Sequence, residues 1–183
     1  SKGNVVDPEL YFATHGADAL RLYILFMAPP SDGVEWNDGG IEGTKRFLNK
    51  VWDNFEKISL LEISNQSELD LEIIRKINQS IYSITKHLDK FEFNTAVSDL
   101  MKINIELTNY LGSTTTISQE TKEYITFNIC SLLYPFAPHI SSEIYELHTN
   151  KNIAESSWPE FDEENLTNPT YELVVQINGK KKH

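Results

Sequence analysis

LDLEIIRKINQSIYSITKHLDKF, residues Leu69 to Phe91, decides the fold class. Its apolar residues Ile74, Ile77, Ile81, Ile84, Leu88 and Phe91 advance in alternating steps of three and four. That is the narrow seam of a helix packed nearly antiparallel to its neighbours. Downstream, Asn94 can cap a second helix whose Ala96, Leu100, Ile103, Leu107 and Tyr110 form another stripe, which Gly112 would end. The two helices form a hairpin around Glu92 and Phe93. Ser113 to Thr116 is polar and reads as a linker, and Thr116 with Gln119 has capping-box spacing for a helix carrying Ile125, Ile129, Leu132 and Leu133. Pro135 closes that helix. Pro138 suits the first turn of a last one, with Ile140, Ile144 and Leu147 directed inward.

Toward the N-terminus, Phe47, Leu48, Val51, Trp52, Phe55 and Ile58 fall on one side of a helix running from about Ile41 to Leu61. Arg46, Lys50 and Lys57 fall opposite, with Lys45 adjacent and Asp53 interrupting the stripe. This cationic face is either a phosphate-facing surface or a solvated exterior. Before it, Asp7-Pro8 starts a short helix ending near His15 and Gly16. Leu20, Tyr23, Ile24 and Met27 mark another helix from about Ala17 to Ala28, stopped by Pro29-Pro30. SDGVEWNDGG is a loop, and Gly39-Gly40 with Gly43 reads as a loop entering the next helix. Trp36 in that loop either anchors it or touches a partner.

At the other end, Tyr171, Leu173, Val175 and Ile177 alternate as in a strand, and Asn178-Gly179 signals a tight hairpin turn. Four residues follow, so the return strand is expected to be missing, as though the chain stopped just inside another domain. The expected fold is therefore all-α: a bundle of four or five main helices, with a short connecting region before it and a truncated β-strand after it. The expected boundaries are residues 1–40 for the connecting region, 41–155 for the bundle, and 156–183 for a linker and the start of a further domain.

The composition fits one main domain of an ordinary globular protein: 183 residues, 40% hydrophobic and 23% charged. There is no run of some 18 apolar residues to span a membrane and no signal-peptide order, so a cytoplasmic location is expected. The formal net charge of -11 opposes broad nucleic-acid binding, so any RNA contact must be local. Acid gathers at Glu155, Glu160, Asp162, Glu163 and Glu164, which leaves the helical part less negative than the total. The single Cys130 sits in an apolar stripe and reads as an inert core thiol.

No catalytic constellation is present. His139 and Glu143 lie one helical turn apart, but His148, five residues beyond Glu143, falls off that face, and HExxH is absent, so no metal site is expected. His15 and His87 are isolated. Neither a Walker loop, a GxGxxG turn nor a nucleophile elbow occurs.

Seven stretches, in order and at natural spacing, resemble class I aminoacyl-tRNA synthetases. SKGNVVDP (1–8) looks like the end of their KMSKS loop, and GADALRLYIL (16–25) like the helix that follows it. VEWNDGGIEGTKRFLNKVWDNF (34–55) resembles the leucyl branch in its W-x-D-x-GIEG-x-x-RFL-x-x-VW order. FEFNTAVSDLMKINIEL, LLYPFAPHISSEIYELH, SWPEFDEENL and ELVVQINGK extend the likeness across nearly the whole chain.

The resemblance implies an ATP-dependent leucine-tRNA ligase with Mg2+ in its intact form, whose catalytic domain lies upstream. Ser1, Lys2, Gly3 and Asn4 would then border the ATP site, while this portion holds neither catalytic residue nor cofactor. It also implies a bundle of the anticodon-binding type that packs along leucine tRNA, in a monomer. Lys45, Arg46, Lys50, Lys57 and Trp36 are the candidate tRNA contacts. The competing reading is a brace for the catalytic domain with little RNA binding of its own.

Overall fold

A computed structural model describes residues 6–29, 32–33, 36–166, 176–177 and 180–181. Seven α-helices account for most of them: α1 (Pro8–His15), α2 (Ala17–Met27), α3 (Asp38–Leu60), α4 (Glu68–Asp89), α5 (Phe93–Ser113), α6 (Gln119–Leu133) and α7 (Pro138–Thr149). Their starts carry side-chain caps where the sequence supplies short polar residues. Asp7 accepts from the Glu9 amide at 2.9 Å, Asn37 from Gly39 at 2.9 Å, and Ser118 from Thr121 at 3.0 Å. Ser67 and Asp70 form a reciprocal capping box on α4.

α4 packs along α5 and against α6; α6 packs on α7; α2 lies against both α3 and α5. One continuous core results, from Leu20 and Leu22 of α2 through Phe55, Ile81 and Leu107 to Ile129 and Ile144. The stripes read on α5 and α6 are buried throughout, as are Leu48, Val51, Phe55 and Ile58 of α3. The all-α bundle is the observed fold.

Details depart from the periodicity. Ile73, not Ile74, faces the core of α4. Both precede Ile77 by a permitted step, three or four, so spacing alone does not separate them. Phe91 lies past the last turn of α4 in the left-handed region (φ 59°) and is 68% exposed. In α2, Leu22 is buried and Ile24 faces out; in α7, Tyr145 is buried and Leu147 faces out. α5 begins at Phe93 with Glu92 at its cap, two residues before the expected cap Asn94, and it continues through Gly112. Gly39, Gly40 and Gly43 are not loop but the first two turns of α3. Gly40 is needed there, because a Cβ would sit 2.3 Å from the Tyr23 ring.

Two strands were not expected. β1 (Glu62–Ser64) pairs in parallel with β2 (Thr116–Ser118), joining the exit of α3 to the entry of α6. Ile117, one residue past the stretch that reads as linker, thereby enters the core. At the C-terminal end, β3 (Gln176–Ile177) pairs antiparallel with β4 (Lys180–Lys181). The return strand expected to be missing is therefore there, since a register of Ile177 against Lys180 needs only two residues on each side. Tyr171, Leu173, Val175, Asn178 and Gly179 lie outside the described residues.

Buried polar groups tie the helices together. Asp18 of α2, 8% exposed, accepts from the α7 amides of Ile140 (2.7 Å) and His139 (3.3 Å) and from His139 Nδ1 (2.8 Å), so one helix's carboxylate caps another helix. Asp70 also accepts from the Tyr110 hydroxyl and from the Ser118 amide at 3.3 Å. That phenol's pKa is raised by burial and then by the Asp70 hydrogen bond. Asn54 of α3 donates to Asn104 Oδ1 of α5 at 2.9 Å and to Thr108 Oγ1 at 3.0 Å. Cys130 is buried, and burial pushes its thiol up, away from the reactive thiolate.

Candidate nucleic-acid interface

The cationic stripe of α3 faces outward because its opposite side, Leu48, Val51, Phe55 and Ile58, is consumed by the core. Arg46 and Lys57 are exposed and Lys50 is half-buried; none of the three is in an ion pair among the described residues. Their spacing of four and seven residues puts them in one row over three turns. Asp53 stands in the same row, and Glu42 stands one turn before Arg46.

Glu42 is already engaged. His15 Nε2 lies 2.8 Å from its carboxylate, and that hydrogen bond, helped by the charges of His15, Lys45 and Arg46, holds its pKa below the usual range. It stays ionised and offsets part of the cationic field at this end. The freest cations are therefore in the middle and far half of α3.

Lys45 has a different setting. Its Nζ donates to the Thr14 carbonyl at 2.9 Å, at the C-terminal turn of α1, where a cation also answers the helix dipole. Trp36 is half-buried; its Nε1 donates to the Tyr11 hydroxyl at 3.1 Å, and its ring meets Tyr11 and Tyr23 edge-on at 4.9 and 5.0 Å. The Tyr23 hydroxyl in turn donates to the Asn37 carbonyl at 2.7 Å, next to the start of α3. So the structure sets Arg46, Lys50 and Lys57 on one outward row and places Lys45 and Trp36 among contacts that join α1, α2 and α3. Ser1, Lys2, Gly3 and Asn4 lie outside the described residues.

A second cationic feature escaped the sequence reading. Lys122 near the start of α6 and Lys151 just past the end of α7 line one groove with His148. They are 29 positions apart, and only the antiparallel packing of α6 on α7 brings them together. Projecting α6 onto a wheel puts Lys122 on the side of Ile125 and Ile129, so spacing alone marks it neither as outward nor as sharing a groove with Lys151.

His139 is engaged by Asp18, and His148 Nε2 lies 3.4 Å from Ser59 Oγ, with its ring edge-on to Phe55 at 5.3 Å. Among the described residues no three His, Cys, Asp or Glu side chains converge as metal ligands. No described helix is long and apolar enough to cross a membrane.

The geometry is that of an all-helical bundle with a row of outward cations on α3. Residues 70–183 match the family of anticodon-binding domains of tRNA ligases, and the chain belongs to that family. Its full-length relatives are leucine--tRNA ligases: the enzyme of Petrotoga mobilis is 44% identical and that of Thermosipho melanesiensis 40%, each over 98% of this chain. The chain spans about a quarter of those ligases, 23% in both cases. The crystal structure of the LeuRS-tRNA-LeuAMS ternary complex of Agrobacterium radiobacter K84 agnB2 superposes with a TM-score of 0.78 at 31% identity, over 100% of this chain and 25% of that one.

Proposed function

We propose that this chain is the tRNA-positioning helical module of a leucine-tRNA ligase, acting in the cytoplasm as part of a monomeric enzyme. The observation that carries it is the end-to-end likeness to leucine--tRNA ligases together with the likeness in fold to a synthetase solved with tRNA. The whole enzyme joins leucine to its tRNA at the expense of ATP, with Mg2+, in a catalytic domain elsewhere in the polypeptide. Ser1, Lys2, Gly3 and Asn4 are proposed to border that ATP site.

The module contributes orientation rather than chemistry. Arg46, Lys50 and Lys57 form a row that meets backbone phosphates, which sets the register of the RNA without reading bases. A row of three cations suits a chain of net charge -11, because broad attraction is absent and contact is confined to one face. Lys45 and Trp36 support the row by holding α1 and α2 against α3.

The brace reading draws on those same two residues, whose contacts lock the N-terminal helices to α3. The double variant Arg46→Glu/Lys50→Glu separates the two. Positioning predicts a loss of affinity for leucine tRNA of about tenfold or more at low salt, with the slope of log K against log salt reduced by roughly 1.5. An unchanged affinity and slope would leave only the brace.

A further inference from the structure

We propose that the groove between the start of α6 and the end of α7 binds a phosphate group of the tRNA backbone, with Lys122 and Lys151 as its cations. This rests on the tRNA-positioning reading and adds a second contact, on different helices from the α3 row. The groove has a volume of about 390 Å3 and is lined by Lys122, Lys151, His148, Gln119, Glu123 and Phe127, among others.

Three observations carry it. The first is that these cations are available. Lys76 is held by Glu72 and Glu106, both at 2.7 Å; Lys102 is held by Asp99; and the Arg21 guanidinium is spent on the Pro135 carbonyl. Lys122 and Lys151 are in no ion pair among the described residues, although the chain has 27 acidic residues to 16 basic ones. Second, cations outnumber acids in the lining: Glu123, which accepts from Gln119 Nε2 at 2.6 Å and keeps its charge, stands against both Lys122 and Lys151. Third, the cations converge through tertiary structure. The left-handed Asn150 (φ 54°) ends α7 and turns the chain so that Lys151 meets the α6 side.

Two lysines against one carboxylate leave the lining with an excess positive charge that an anion would balance. The groove is open enough for a phosphate with part of its ribose, and Phe127 supplies an apolar wall for the sugar. His148 adds no third charge at neutral pH, because burial and then the charge of Lys122 push its pKa down. A rival role exists for Lys151, since a cation just past a helix C-terminus also steadies the helix dipole. That role would show in stability and not in RNA binding.

The test is the double variant Lys122→Gln/Lys151→Gln in the 183-residue chain, titrated with a leucine tRNA transcript from about 0.05 to 0.3 M salt, with Lys122→Arg/Lys151→Arg as the charge-keeping control. The proposal expects the slope of log K against log salt to fall by roughly 1 to 1.5, a correspondingly weaker complex at low salt, and recovery in the Arg pair. An unchanged slope and affinity in the Gln pair overturn it, whether or not the melting temperature falls. If Arg46→Glu/Lys50→Glu still weakens binding, the positioning function survives without the groove. Absence of tRNA binding by the unaltered chain at low salt overturns both.

Discussion

Asp18 illustrates what single residues do in this molecule. It sits in the first turn of α2, where an acid is favourable by itself, yet its carboxylate is spent on the start of α7, more than 120 positions away. No local signal announces such a pairing. The same holds for Asp70 with Tyr110 and for Asn54 with Asn104, buried polar groups whose partners lie 40 and 50 positions off. Apolar periodicity identifies which face is inward but is silent about polar groups on that face. Asp18→Ala leaves two α7 amides and the His139 ring without their acceptor and is expected to cost about 1 to 3 kcal/mol in urea unfolding. A loss under about 0.5 kcal/mol would mean that α7 is capped adequately without it.

Whole elements were legible to differing degrees. α5 and α6 follow from their stripes because each presents a single apolar face. The extent of α4 follows from its seam but its rotation does not, since Ile73 and Ile74 both satisfy the spacing and the helix must serve α5 and α6 at once. β1 and β2 were invisible, being three residues each, with β1 fully exposed and paired across some fifty positions. The start of α3 reads as loop because glycines usually break helices, whereas Gly40 admits the Tyr23 ring of α2.

The joint between α3 and α7 carries a pH dependence. His148 packs on Phe55 and Ser59, with Glu56 on one side of it and Lys122, Lys151 and Glu123 on the other. Its pKa lies below the ordinary 6.5, by burial first and Lys122 second. Below pH 6.5 or so, the unfolded chain takes up a proton that the folded imidazole resists, so this contribution to stability is complete above that pH and declines as pH falls toward the lowered value. His148→Gln removes the group, and its melting temperature should fall less than that of the unaltered chain between about pH 7.5 and 5. Parallel curves would mean that the imidazole titrates alike in both states.

At the scale of the molecule, family and fold were readable because the motifs run in order along nearly the whole chain, and the bundle they imply is the one observed. The candidate interface was only half readable. Helical spacing located the outward row Arg46, Lys50 and Lys57, but it could not reveal that Lys45 and Trp36 bind neighbouring helices, nor that Lys122 and Lys151 line one groove. Those facts depend on how helices pack. The functional account makes this acidic chain a local RNA-positioning surface, and the most direct test is its affinity for labelled leucine tRNA and for a non-cognate tRNA across a salt series. The account predicts saturable binding that weakens steeply with salt, with a slope of about -2 or steeper. It also predicts tighter binding of the leucine tRNA. No saturable binding at low salt, or binding indifferent to salt, would contradict it.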